Sequence, residues 1–337
     1  MSTERIASAA LTDGAAAGPG TLMPYIRIAR LDHWPKNVLM LPGIAVALFY
    51  QPERLTWRTV VALALTLAAT CLVASSNYVL NELLDAATDR FHPHKAARPA
   101  VSGKIRTRWA VLEWALLAGA GVGLALAVST PVAVMAAGLW LMGVLYNVPP
   151  IRLKDSPYLD VLSESANNPL RLGLGWFAVI PDRLPPFSLV LAYWMSGAFL
   201  MTVKRLSEYR ELSAQRVAGP YRRSFQFYTE QKLLVSCIFY AVLGAEFGGM
   251  FMLRYRPELV LMAPLVAGVF AHYMQIAYKP RSAVQHPERL YLERRLSAYL
   301  VLCLILFVVL MFVHVPVLYE WFTVDPAGVA SLWEINP

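Results

Sequence analysis

The sequence predicts an all-α protein, a polytopic membrane bundle of about nine transmembrane helices. Three observations predict it. Of the 337 residues, 57% are hydrophobic and only 15% carry charge, which is too apolar for a soluble domain of this size. Nine windows approach the roughly 20 apolar residues that cross a bilayer core. The cations, finally, are spread unevenly among the loops between those windows.

Of 30 Lys and Arg, 20 follow the even-numbered windows and five the odd-numbered ones, while four lie in the N-terminal segment through Lys36. This is the positive-inside bias. It places the N terminus and the even loops in the cytoplasm, and the C-terminal tail, with Glu320, Asp325 and Glu334, outside. The same distribution argues against nucleic acid as the reason for the net charge of +8. The thirtieth cation, Arg171, falls inside a window.

Residues 1–24, "MSTERIASAALTDGAAAGPGTLMP", are small and polar without an apolar core, as in a flexible tail and unlike a signal peptide. The first window, 35–52, opens on "LDHWPKNV", which sets Lys36 and Asn37 at its mouth. The second, 59–80, runs without a break into "NYVLNELLDAATDRFHPHKAARPAVSG". On a helix, Asn81, Asp85 and Asp89 recur every four residues and form one stripe rising about 6 Å per step. A helix end entering solvent is the plain reading of such a stripe. The cations of "HPHKAARP" that follow, Lys95 and Arg98 with His92 and His94, favour another. Carboxylate and amide oxygens suit Mg²⁺, which keeps waters and bridges to substrate phosphates, and Lys95 and Arg98 suit phosphate oxygens. The two histidines, lacking a third partner, read as solvated loop residues.

Windows three and four span 109–128 and 131–148. The fifth, 159–180, is the least membrane-like: Asp160 and Glu164 are one turn apart, Asn167 and Asn168 follow, Pro169 loosens the helix, and Arg171 lies a turn further in. Ionisable groups at that depth usually face a polar cavity. The plain alternative is an internal Glu164–Arg171 pair that serves packing alone. Window six, 187–203, ends in "TVKRLSEYREL", with Lys204, Arg205, Glu208 and Arg210. Windows seven to nine span 233–253, 258–278 and 296–316, and Glu246 in the seventh is isolated and is assigned no role. Cys71, Cys237 and Cys303 are scattered through windows without metal-ligand spacing and read as packing residues.

With these residues in view, the chain resembles the UbiA superfamily of intramembrane prenyltransferases. Their Asn-Asp-x-x-Asp-x-x-x-Asp signature stands here as "NELLDAATD", occupied by Asn81, Glu82, Asp85 and Asp89, with Glu82 as a departure. Within the superfamily the chain is more similar to the decaprenyl-phosphate phosphoribosyltransferases. "WPKN", "RPAVSG", "LKDSPYLDVLSESANNPLRL", "KRLSEY" and "RRSFQFYTEQ" carry that likeness, over residues 25 to 315. Prenyltransferases of the superfamily have a second Asp-rich motif at the end of the sixth span, where this chain has Lys204 and Arg205.

The resemblance implies a UbiA-like transmembrane domain over 25–316 with a cavity open to the cytoplasm, a tail over 317–337, and a bacterial inner-membrane location. It implies Mg²⁺-dependent transfer of a 5-phosphoribosyl group from phosphoribosyl pyrophosphate to a polyprenyl phosphate, feeding arabinose donors for glycans. Asn81, Asp85 and Asp89 would hold the metal. Asp85, Asp89, Asp160 and Glu208 would serve catalysis, and Lys36, Asn81, Lys95, Arg98, Arg171, Lys204 and Arg205 would hold substrate. Self-association of the chain is left open. Two other readings stand beside this one: a prenyltransferase moving a polyprenyl group from its diphosphate to an aromatic acceptor, and a transporter or channel. The missing second Asp motif counts against the first, and the lack of paired broken helices in the two halves counts against the second.

Overall fold

The computed structural model describes residues 22–90, 97–214, 223–279, 282–285, 290 and 292–322. A short helix α1 (Met23–Ile28) leads into a 3₁₀ segment (Leu31–Met40) and α2 (Leu41–Tyr50). Then come α3 (Trp57–Asp89), α4 (Thr107–Val128), α5 (Thr130–Asn147), α6 (Leu159–Ser165), α7 (Asn167–Phe177) and α8 (Phe187–Ala214). The chain continues through α9 (Glu230–Tyr255), a 3₁₀ turn (Pro257–Met262), α10 (Ala263–Ala277), α11 (Arg294–Phe312) and α12 (Pro316–Trp321).

Among the described residues, seven segments are long and apolar enough to cross a membrane: α3, α4, α5, α8, α9, the continuous Pro257–Ala277 stretch and α11. The chain is therefore a multi-pass membrane protein. The other two expected spans, the first and fifth, are broken into shorter pieces. In the first, Pro35 lies within the 3₁₀ segment, and Trp34 Nε1 donates to Ser75 Oγ of α3 at 3.0 Å. In the fifth, Pro169 has no N–H for the Ser165 carbonyl. Asn167 Nδ2 caps the Glu164 carbonyl at 3.0 Å instead, and the helix restarts after Ala166.

The long helices are built from the usual devices. Ser129 sits extended between α4 and α5, accepts from the Val132 N–H at 3.4 Å, and is followed by Pro131 at the start of the helix. Thr229 caps α9 in the same way through the Lys232 N–H at 3.2 Å. Within apolar segments, Thr66, Thr70, Thr202 and Ser236 donate to the carbonyl four residues back, so these four hydroxyls are paired within their own helices.

α3 packs along α4, and α8 along α9, while α7 is enclosed by α2, α5 and α8. The α2–α7 crossing is close because both sides are glycine: a Cβ on Gly43 would strike the Leu172 carbonyl, and one on Gly175 the Met40 carbonyl. One apolar core joins Val46, Val73, Leu139, Trp176 and Ile180, and a second joins Phe199, Val203, Cys237, Tyr273 and Ile276. Much of α11, from Leu300 to Phe312, is apolar and exposed, as lipid contact requires. At the bundle end remote from Asp89, the fully buried Glu258 gathers Arg256 (3.3 Å), His314 (3.2 Å), the Val315 N–H (3.2 Å) and Tyr319 (3.3 Å), which fastens the turn before α12 to the end of α9.

Candidate active site

The stripe forms as the helical spacing predicts and is crossed by cations from a neighbouring loop. Asn81 Nδ2 donates to Asp85 Oδ2 at 3.1 Å and to Asn147 Oδ1, at the end of α5, at 2.6 Å. Asn147 is aimed by its own amide, which donates to the Gly143 carbonyl at 2.9 Å. Arg152, at φ 33°, turns the chain back toward α3. Its Nη2 lies 2.9 Å from Asp85 Oδ1. Lys154, buried in the 3₁₀ turn Leu153–Asp155, donates to the same oxygen and to Asn147 Oδ1 at 2.7 Å. One turn further, Asp89 pairs with Arg98. Three cations thus offset the like-charge repulsion along the stripe.

Glu82, the departure from the signature, faces elsewhere. It is buried, accepts from the Ala100 N–H at 3.2 Å, and has Arg30 at 3.9 Å. Its longer arm ties the loop after α3 to α1.

A second cluster centres on Arg205 of α8, only 3% exposed. Nη1 donates to Glu208 at 2.7 Å, Nη2 donates to Glu164 at 2.5 Å, and Nε lies 3.3 Å from Asp160 as an ion-pair contact without hydrogen-bond geometry. Asp160 is fully buried and accepts from Tyr228 at 2.6 Å and from Ser224 at 3.3 Å. Tyr228 in turn accepts from the Tyr158 N–H at 2.6 Å. Burial first, and then the Asp160 carboxylate, push the Tyr228 pKa up, so its hydroxyl stays a donor. The expected Arg205 is therefore enclosed by carboxylates, two of which, Asp160 and Glu208, are themselves expected site residues.

Arg171 lies deeper. Its Nε donates to Asn37 Oδ1 at 3.0 Å and its Nη1 to the Asn167 carbonyl at 3.3 Å. Asn37 is oriented by Cys71 Sγ at 3.2 Å, so this cysteine does more than fill space. The Glu164–Arg171 pair is not formed, since Glu164 turns to Arg205. Among the described residues no carboxylate pairs with Arg171. Lys36 Nζ lies 2.5 Å from His33 Nδ1, and Lys204 is half-buried beside Arg205. Lys95, His92 and His94 lie outside the described residues, as do most of both predicted tails.

The donor chemistry fits Mg²⁺ held in part by substrate. Among the described residues no three His, Cys, Asp or Glu side chains form a cage, but Mg²⁺ is commonly bound through one or two carboxylates plus phosphates. Asp85 and Asp89 with Asn81 supply such a set. One turn below, on the same stripe, the buried Asn77 Oδ1 has no hydrogen-bond partner.

Sequence reasoning missed Tyr146, Asn147, Arg152 and Lys154. The signal was present: "YNVPPIRLKD" puts two cations just past a span on the same side as the stripe.

The geometry is that of a polar, charge-dense site at one end of an intramembrane helical bundle. A family model described as the UbiA prenyltransferase family matches residues 39–294, and the chain belongs to that family. The decaprenyl-phosphate phosphoribosyltransferase of Corynebacterium glutamicum is 28% identical over 60% of this chain and 59% of its own length. The protein of the same name from Mycolicibacterium smegmatis is 27% identical over 64% and 67%. The nodulation protein NoeC of Azorhizobium caulinodans is 28% identical over 64% and 67%. The matched segments thus span about 59 to 67% of these relatives. Among solved structures, a UbiA homolog from Archaeoglobus fulgidus bound to GPP and Mg²⁺ superimposes with a TM-score of 0.63 at 19% identity, covering 83% of this chain and 99% of that one. A digeranylgeranylglyceryl phosphate synthase gives 0.59 at 16%, covering 86% and 98%. These two likenesses bear on the fold, which is the UbiA fold.

Proposed function

We propose that this enzyme transfers the 5-phosphoribosyl group of phosphoribosyl pyrophosphate to the phosphate of a polyprenyl phosphate at the cytoplasmic face of the membrane. The observation that carries the reading is the buried Arg171. Arg171 has amide and carbonyl partners but no carboxylate among the described residues, whereas Lys154, Arg152 and Arg98 are matched by Asp85, Asp155 and Asp89. A buried guanidinium without a counter-ion is costly. A ligand rich in phosphate supplies the missing charge. The names of two relatives support the same substrates.

In this reading a phosphate oxygen of the lipid forms a bond to C1 of the ribose as the bond from C1 to pyrophosphate breaks. Asn81, Asp85 and Asp89 are the ligands for Mg²⁺, which when bound takes up charge on the departing pyrophosphate. Lys154, Arg152, Arg98 and Lys95 hold its oxygens, and Lys36, Arg171 and Lys204 hold the remaining phosphates. Arg205 is fixed by Asp160, Glu164 and Glu208, so its charge is spent within that cluster. Asp160 and Glu208 would favour positive charge at C1. The lipid phosphate is already ionised, so no strong base is needed.

A second reading, prenyl transfer from a polyprenyl diphosphate to an aromatic acceptor, is favoured by the family itself. Parallel incubations with ribose-labelled phosphoribosyl pyrophosphate and with a prenyl-labelled diphosphate decide between them. Ribose label entering the lipid phase supports the proposal. Prenyl label on an aromatic acid, with no ribose label in lipid, overturns it.

A further inference from the structure

α9 packs one side on α8 and turns the other outward. Gly244 rests against Ser196 of α8, and Leu243 and Phe247 pack on the second apolar core. Val242, Ala245, Glu246 and Met250 are left exposed on the outer face. Exposed apolar side chains on a spanning helix say no more than that lipid covers them. Glu246 says more. It stands nine residues, about 14 Å, from the Tyr255 end of α9 and sixteen residues, about 24 Å, from the Glu230 end. Its short arm therefore reaches water on neither side, and no hydrogen bond or ion pair meets it among the described residues. Ionisable groups at such depth almost always face a protein partner or a polar cavity, and this one faces away from its own bundle.

Gly249 is a second, separate observation. Glycine inside a helix costs stability relative to alanine. Gly244 has its reason in Ser196, where a Cβ would come within 3.1 Å of Oγ, but a Cβ on Gly249 would meet nothing within 4 Å. The chain's own packing thus gives no reason for Gly249. At helical spacing it lies one turn from Ala245 and beside Glu246 on the outer face, so the two small residues leave a strip where another helix backbone can approach closely. Whatever lies there has to bring the counter-charge. A second copy of this chain does not: among the described residues Lys and Arg side chains sit toward the ends of the spanning segments, and Arg171, which does not, is buried. Two copies meeting on this face would set Glu246 against Glu246. Charge complementarity therefore favours a different protein, with a cation at the level of Glu246.

We propose that the outer face of α9 docks a transmembrane helix of another protein, one that carries a Lys or Arg at mid-depth to pair with Glu246 and lies close along Ala245 and Gly249. The proposal is independent of the reaction assigned above. Its test places the purified full chain, labelled with a fluorescent donor, in phosphatidylcholine vesicles with a synthetic spanning Leu–Ala helix that bears one central Lys and an acceptor. Association read by energy transfer should be about tenfold tighter than for the same helix with Leu in place of Lys, or with its Lys moved two turns toward one end. Glu246→Gln should remove that preference, and Gly249→Leu, which fills the strip, should weaken association with the central-Lys helix about tenfold. Both positions are free of contacts within the chain, so the melting temperature in detergent should not change. Equal association of the three helices, or a preference for the central Lys that survives Glu246→Gln, overturns the proposal. Energy transfer between labelled copies of the chain that is lost in Glu246→Gln assigns the face to self-association and overturns it as well.

Discussion

Tyr146 and Asn147, consecutive at the end of α5, divide the site between them. The Tyr146 hydroxyl donates to Glu164 at 2.9 Å and accepts from Arg205 at 3.3 Å, while Asn147 Oδ1 accepts from Asn81 and Lys154. The acidic stripe and the Arg205 cluster, drawn from α3, α6 and α8, are thereby one structure. Disturbing this junction should register on both sides.

Tyr146→Phe keeps the ring and removes only the bridge. It should lower kcat/KM about tenfold, with a small change in melting temperature, because one hydrogen bond to a charged partner contributes roughly 1.5–3 kcal/mol. Steady-state kinetics with a thermal melt in detergent check it. Unchanged kinetics would show that the two clusters act independently.

Lys154 is buried against Asp85 and Asn147. Lys154→Met should raise the KM for the soluble phosphorylated substrate by one to two orders of magnitude, since a charge-assisted contact to phosphate is lost. Lys154→Arg should not rescue it, because the planar fork does not fit a pocket shaped for an ammonium. Substrate titrations of the two variants separate these outcomes.

Asp160→Ala leaves Arg205 buried with fewer partners and Tyr228 without its acceptor. Breaking a buried pair typically costs about 3–5 kcal/mol. A large fall in melting temperature is expected. Tyr228→Phe should lower it by less, and the double variant should be less than additive because both act on one network.

Gly175→Val should prevent correct folding, because even a Cβ there meets the Met40 carbonyl and forces α2 off α7, carrying Asn37 away from Arg171. Overpacking typically costs about 1–3 kcal/mol, and more where backbone must move. Gly248→Ala, in open space on α9, is the control. Size-exclusion profiles of the two should differ.

Much of this was legible in the chain. The apolar windows, the even-loop cations and the four-residue spacing of Asn81, Asp85 and Asp89 are local patterns, and local patterns survive without a structure. The breaks in the first and fifth spans were signalled by Pro35 and Pro169 but not their extent, which tertiary partners such as Ser75 decide. Least legible was charge pairing. Arg152 and Lys154 reach Asp85 across 67 and 69 residues, and Arg205 reaches Glu164 across 41, separations that no spacing rule encodes. Glu82 shows the converse: it occupies a signature position, yet its side chain serves the loop after α3 and not the stripe.

The central claim is that the stripe on α3 carries phosphoribosyl transfer with a divalent cation. The most direct measurement incubates the purified protein with ribose-labelled phosphoribosyl pyrophosphate, Mg²⁺ and a polyprenyl phosphate and counts label in the organic phase, for wild type, wild type with EDTA, and Asp85→Ala. Label in the first, with at least a hundredfold loss in the other two, is the predicted result. Label that persists in Asp85→Ala or with EDTA, or that never enters the lipid in wild type, would contradict it.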